Sequence, residues 1–184
     1  MEANDLKFVN VRLSYPALFT AKKAPGSQTA KFGCTIILDK RTDAAQIQSI
    51  KQLAAKIAQD KWQGKAKGIK LCLRDGVEKE GTEGYGPDVM FFNTSSTVRP
   101  VVVDRQRNPL VETDGKCYPG CRVNVVVRLW AQDNEFGKRV NAEIKAVQWW
   151  GDDTPLGGAT PVDANEVFEA AGDAPAADDD NLFE

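Results

Sequence analysis

Hydrophobic and polar positions alternate with period two along several stretches of this chain, and with a period near 3.6 along one. Residues 6–13 interleave β-branched and aromatic side chains with polar ones, the pattern of a half-buried strand. Tyr15-Pro16 then bends the chain, because a residue before proline avoids the helical region. Residues 31–38 alternate more strictly. Phe32, Cys34, Ile36 and Leu38 share one face, Lys31, Gly33 and Thr35 the other, and Ile37 alone breaks the order. Residues 89–93 and 98–104 read as two further strands. In residues 122–130, Val123, Val125, Val127 and Leu129 form a row, with Arg122, Asn124, Val126, Arg128 and Trp130 opposite. After a turn at 133–137, Val140, Ala142, Ile144 and Ala146 form the next row. Arg139, Asn141, Glu143, Lys145, Val147 and Trp149 lie opposite. A hairpin face mixing arginine, asparagine, lysine and tryptophan is expected to stay outside the core.

Helical spacing is convincing once. Ile47, Ile50, Ala54, Ile57 and Lys61, widened by Leu53, predict a helix from Thr42-Asp43 to about Trp62 that lays one face on a sheet or barrel. Asp43 and Gln46 have capping-box spacing, and Gly64 ends the helix. Residues 64–88 are glycine-rich and charged, with a short apolar piece at 70–74 and a loop or hairpin tip at 78–87. These elements predict a mainly β fold: a single small antiparallel barrel of the oligonucleotide-binding (OB) type, with one α-helix and long basic loops, over residues 1–151. Residues 152–184 lack the apolar content to order themselves and read as a disordered acidic C-terminal tail.

Charge sharpens this division. The chain of 184 residues holds 24 basic and 26 acidic side chains, and its last basic residue is Lys145. Ten acids lie from Asp152 onward, so the body carries +8 and the tail −10. No apolar run approaches the ~18–20 residues of a membrane span. The first five residues, Met1 to Asp5, lack a signal-peptide layout, so the expected place is the cytoplasm, with its four cysteines reduced.

Histidine is absent, which removes Ser-His and Cys-His chemistry and the commonest metal ligand. Cys117 and Cys121 are spaced one residue wider than the usual zinc knuckle, and Cys34 and Cys72 do not form a second pair; no metal and no cofactor is expected. Asp75, Asp88, Asp114 and Asp133 sit beside Gly, Pro or Asn, where turn chemistry accounts for them, and Asp104 has no acidic partner. The expectation is a protein that is not an enzyme. A basic body with interleaved aromatics (Tyr15, Trp62, Tyr85, Trp130, Trp149, Trp150) has the two parts that single-stranded nucleic acid needs: cations for phosphates and ring faces for unpaired bases. Phe8, Phe32 and Phe91 are assigned to the core. Trp130 and Trp149 stand opposite aliphatic rows and are the expected stacking platforms.

Val11-Arg12-Leu13-Ser14-Tyr15-Pro16, Lys31-Phe32 before Ile36-Ile37-Leu38, Arg99-Pro100-Val101-Val102-Val103-Asp104, and Tyr118-Pro119-Gly120-Cys121-Arg122-Val123-Asn124 running into Val127-Arg128-Leu129-Trp130-Ala131 carry a family resemblance. The sequence resembles the bacteriophage single-stranded DNA-binding proteins with an OB-type barrel and an acidic C-terminal tail. Arg139 departs from it, standing where the family pattern has glycine. The resemblance implies a single-stranded DNA ligand, a role in phage replication or recombination, and the cytoplasm of an infected bacterium as the setting. The strand-face argument separately supplies the site residues. Arg122, Arg128, Trp130, Lys145 and Trp149 line the expected groove, and Arg12, Lys22, Lys23, Lys31, Arg99 and Arg105 track phosphates beside it. In the tail, Asp178, Asp179 and Asp180 are expected to compete with DNA, and Leu182-Phe183 to recruit a replication or recombination protein. A homodimer is left open. Two rivals are a structural assembly protein of a phage and a carboxylate-metal nuclease.

Overall fold

A computed structural model of the chain describes residues 1–65 and 67–157, and the expectations for Asp178, Asp179, Asp180, Leu182 and Phe183 lie outside them. Eight strands and one helix follow in the order β1 (Asp5–Lys23), β2 (Ala30–Asp39), α1 (Ala44–Trp62), β3 (Lys70–Leu71), β4 (Leu73–Asp75), β5 (Val89–Ser96), β6 (Val101–Val103), β7 (Arg122–Asn134) and β8 (Gly137–Gly151). Five of the strands close a ring. β8 pairs with β7, β7 with β1, β1 with β2 and β2 with β5, all antiparallel, and β5 returns to β8 through a single parallel bridge between Thr94 and Ala142. The ring is the expected five-stranded barrel, corrected in one respect: its closing seam is parallel.

The barrel is filled by the rows that the alternation identified. Val123, Val125, Val127 and Leu129 of β7 and Val140, Ala142 and Ile144 of β8 are buried, against Phe8, Val11 and Leu13 of β1 and Cys34, Ile36 and Leu38 of β2. α1 lays Ile47, Ile50, Ala54 and Ile57 on this core, with Trp62 at its end, whereas Lys61 stays in solvent. Trp62 is a core residue, and its indole N–H donates to Asp133 at 2.9 Å, fastening the helix to the β7–β8 hairpin.

Two local expectations are corrected. Asp43 and Gln46 do not form a capping box. Asp39 instead accepts from the backbone N–H groups of Arg41 and Thr42, and the Gln46 amide exchanges hydrogen bonds with the N–H and C=O of Val9 in β1. Nor does β1 stop at Tyr15-Pro16. It runs to Lys23, because irregularities in its pairing with β2 absorb the bend, and Tyr15 takes the left-handed φ of 45°.

β2 also departs from a one-sided strand. Cys34, Ile36 and Leu38 face the core, Phe32 is only half-buried, and Ile37 is buried on the opposite side with Phe91 and Leu156, flanked by Tyr85 and Val89. Leu156 is 7% exposed although it lies in the stretch expected to be disordered. Residues 152–157 form a strap on the barrel: Asp153 pairs with Arg122 at 2.6 Å, the Thr154 carbonyl accepts from Arg12 at 2.6 Å, and the Leu156 N–H donates to the Pro119 carbonyl at 2.9 Å. Gly120 permits the crossing, since a Cβ there would stand 2.3 Å from the Thr154 carbonyl oxygen. Asp152 and Asp153 therefore belong to the body, which holds all 24 basic residues against 18 acids, and eight acids follow residue 157.

Candidate nucleic-acid interface

A bulge in β8 decides which tryptophan faces out. Val126 pairs with Ala146 and Val127 with Ile144, so Lys145 is the extra residue. It inverts the alternation beyond it. Val147, not Ala146, points inward, and Trp149, register partner of the buried Val123, packs against the core. The placement of Trp149 opposite the aliphatic row is thus corrected. The ring of Trp149 carries the Lys116 ammonium 3.7 Å from its centroid. Trp130 lies on the near side of the bulge and is 43% exposed on the outer face, as its alternation requires.

Trp130 stands over a groove of about 810 Å³ that follows the β5–β8 seam. Lys31 from β2, Asn93 and Ser95 from β5, and Gln132, Arg139 and Asn141 from the β7–β8 hairpin line it, together with Lys70 of β3, beside Arg139, and Arg74 of β4. Four cations thus meet one carboxylate, Glu78, which accepts from Arg74 Nε at 2.8 Å. An adjoining cleft of about 340 Å³ shares Lys31, Ser95 and Trp130 and is lined also by Ser96, Thr97 and Glu143. Asn93, Ser95, Asn141 and Gln132 are neutral donors and acceptors, and Asn141 donates to Gln132 at 2.9 Å across the hairpin. Such a lining takes up negative charge and offers hydrogen bonds without demanding one base.

Beyond Arg74 the outer face continues as an aromatic patch. Tyr15 is 57% exposed and lies 6.4 Å from Tyr85, which meets Phe91 edge-on at 5.3 Å. The Lys79 ammonium sits 4.7 Å from the Tyr15 centroid and 5.0 Å from that of Tyr85. Burial, and secondarily the Arg74 charge, hold the Lys79 pKa below that of an ordinary lysine. The signal for this patch was present in the sequence as Tyr15 and Tyr85, but the link through Lys79 depends on residues 76–79 packing against β5 as a 3₁₀ turn.

Of the expected site residues among those described, the structure brings only Lys31 and Trp130 into the groove. Arg128 is held by Asp5 at 2.8 Å and Glu2 at 2.9 Å, and Arg122 and Arg12 are engaged by the strap. Lys145 approaches Glu143 at 3.4 Å. Arg99 lies over Phe19 and Arg105 over Trp150, at 5.8 and 4.8 Å from the ring centroids. Lys22 and Lys23 are exposed beside the loop between β1 and β2, with Lys22 opposite Lys31. Lys70, Arg74 and Asn93 were missed, because pairing across the seam gathers them from parts of the chain that show no common periodicity, whereas Arg139 and Asn141 stood on the outer hairpin face that the alternation marked but were not taken as site residues.

Several of the other described titratable groups have structural duties. Cys34 and Cys117 are buried thiols whose pKa burial pushes up to about 12, and Cys72 is pushed up to about 11 in the same way. Asp75 is held by Lys40, Asp104 by Asn108, and Asp133 by Trp62.

A five-stranded OB-type barrel with a cationic groove and an exposed indole along its β5–β8 seam has the architecture of single-strand nucleic-acid binders. The chain belongs to the family of the Enterobacter phage Enc34 ssDNA-binding protein, whose family model matches residues 4–182. It is 34% identical over 158 residues, 80% of this chain and 83% of the other, to protein p50 of Acyrthosiphon pisum secondary endosymbiont phage 1. Its structure is similar to that of the single-stranded DNA-binding protein from bacteriophage Enc34 in complex with ssDNA. That match has a TM-score of 0.76 and 27% identity, and covers 85% of this chain and 91% of that one. Bacteriophage T7 gp2.5, a single-stranded DNA-binding protein, matches with a TM-score of 0.56 and 13% identity over 91% of this chain and 97% of that one, a likeness of fold alone.

Proposed function

We propose that this protein binds single-stranded DNA without regard to sequence, in phage DNA replication or recombination in the cytoplasm of the infected host, and catalyses no reaction. The observation that carries this reading is the groove along the barrel seam, where four cations and the exposed Trp130 face one carboxylate. Phosphate neutralisation supplies most of the affinity, and stacking on Trp130 contributes about 1–3 kcal/mol per base. The neutral lining makes the site tolerant of sequence.

The eight acids beyond residue 157 form the second half of the proposal. Spaced carboxylates imitate a phosphate backbone and compete for the groove, and DNA binding frees Leu182-Phe183 for a replication or recombination partner. Competition of this kind lowers affinity only insofar as the tail favours the empty groove over the filled one.

Titration of oligo(dT) and of duplex with the full chain, at two salt concentrations, tests the binding. The expected result is a preference for the single strand and a linear loss of log affinity with log salt. No preference and no slope would overturn the reading in favour of an assembly role. Cleavage of DNA in magnesium or manganese would overturn the non-catalytic part. Truncation after Gly157, which leaves the strap in place, is expected to tighten ssDNA binding, and Phe183→Ala to spare DNA binding while weakening partner capture. Unchanged affinity on truncation would reduce the tail to a solubilising extension.

A further inference from the structure

Two like charges stand side by side on the wall of the groove. β3 pairs in parallel with β8 so that Lys70 is the register partner of Arg139, and both line the groove. Like charges directly opposite on neighbouring strands repel. The chain shows elsewhere how such a pair is made tolerable. Arg12 and Arg122 are register partners between β1 and β7, but Arg122 pairs with Asp153 at 2.6 Å, and Arg12 donates to the carbonyls of Gly120 and Thr154. Lys70 and Arg139 have no such relief among the described residues. The one carboxylate of the groove, Glu78, is taken by Arg74, and the Arg139 Nε is cut off from solvent with no hydrogen-bond partner. A buried donor without an acceptor is unfavourable. β3 is only two residues long, so few backbone bonds oppose this repulsion.

We infer that Lys70 and Arg139 form a clamp for one phosphate group of the bound strand, with Arg74 flanking it. A phosphodiester offers unprotonated oxygens that can accept from the groove-lining guanidinium of Arg139 and face the Lys70 ammonium at once, turning the repulsion into a shared attraction, and a turn of the Arg139 side chain toward it would bring the buried Nε–H to an acceptor. Through the clamp a bound phosphate would also fasten β3 to β8. The inference rests on the single-strand reading and joins to the outward-facing Arg139 a lysine, Lys70, that no periodicity in the sequence points to.

The test uses full-length protein and the variants Lys70→Gln, Arg139→Gln and Arg139→Lys. Without DNA and at low salt, each glutamine variant is expected to melt at or above the wild-type temperature, the difference closing as salt screens the repulsion. On oligo(dT) each is expected to lose about tenfold in affinity at low salt, and the log-log salt slope to fall in magnitude by about 0.7 for the one phosphate no longer neutralised. Arg139→Lys should keep the slope. If wild type binds ssDNA with a salt slope and both glutamine variants match it, the clamp is wrong and the single-strand reading stands. If wild type shows no salt-dependent binding, that reading fails first. Stabilisation of wild type by inorganic phosphate over chloride at matched ionic strength, with the DNA slope unchanged in the variants, would make the pair a small-anion site and overturn the strand phosphate as its ligand.

Discussion

Trp130 and Trp149 of the β7–β8 hairpin look alike in sequence and differ because of Lys145. Alternation places both outside, and one extra residue in β8 turns Trp149 inward. Trp130→Ala is therefore expected to leave the melting temperature nearly unchanged and to cost about 1–3 kcal/mol of ssDNA affinity, roughly 5- to 150-fold. Trp149→Ala is expected to do the opposite, destabilising by up to about 3 kcal/mol, at the low end for a large aromatic because the ring is half-buried. Fluorescence titration and thermal melts of both variants separate the roles. Arg128 teaches a related lesson. Its position on the outer face was legible in the sequence, but its partners Asp5 and Glu2 were not, because they lie more than 120 residues away. The Arg128 hydrogen bond, helped by the Glu2 N–H, holds the Asp5 pKa below the ordinary 3.8, and the side chain is only 7% exposed. A depressed carboxylate stabilises the fold above its unfolded pKa and loses that contribution as pH falls through its folded value. Asp5→Asn should accordingly lower the melting temperature at neutral pH, with the gap to wild type narrowing below about pH 4.

Among the elements, β7, the core row of β2 and the stripe of α1 were legible because their burial follows a simple period on one face. The failures occur where a strand is covered twice or where its register shifts. Ile37 looked like an exception in β2 and proves to be part of the seal between the barrel and the strap. The strap itself was hidden by its composition. Residues 152–157 are acidic and contain a proline, and only Leu156, with Arg122 and Arg12 waiting on the barrel, makes them part of the body. Leu156→Ala is expected to destabilise by about 2 kcal/mol, as for a modest cavity in a small satellite cluster. Truncation after Gly151 should lower the melting temperature in a way that truncation after Gly157 does not, which differential scanning calorimetry would show. An affinity change seen only on cutting at 151 would therefore report damage to the body rather than release of the tail.

For the whole molecule, barrel class and charge division were legible, whereas the position of the groove was not. The seam that forms it joins β5 to β8, whose bridging residues Thr94 and Ala142 are 48 positions apart and announce no affinity for each other. The barrel is thus fully laced on four sides and held at one point on the fifth, and that loosely held side is the floor of the groove. A ligand lying there rests on both banks of a join that the protein leaves nearly open. Lys31 is on one bank and Trp130 and Arg139 on the other. DNA would then act as a splint. Amide protons beside Thr94 and Ala142 should exchange faster than those of β7 in the free protein and slow most on binding oligo(dT), a pattern that hydrogen-exchange mass spectrometry can read.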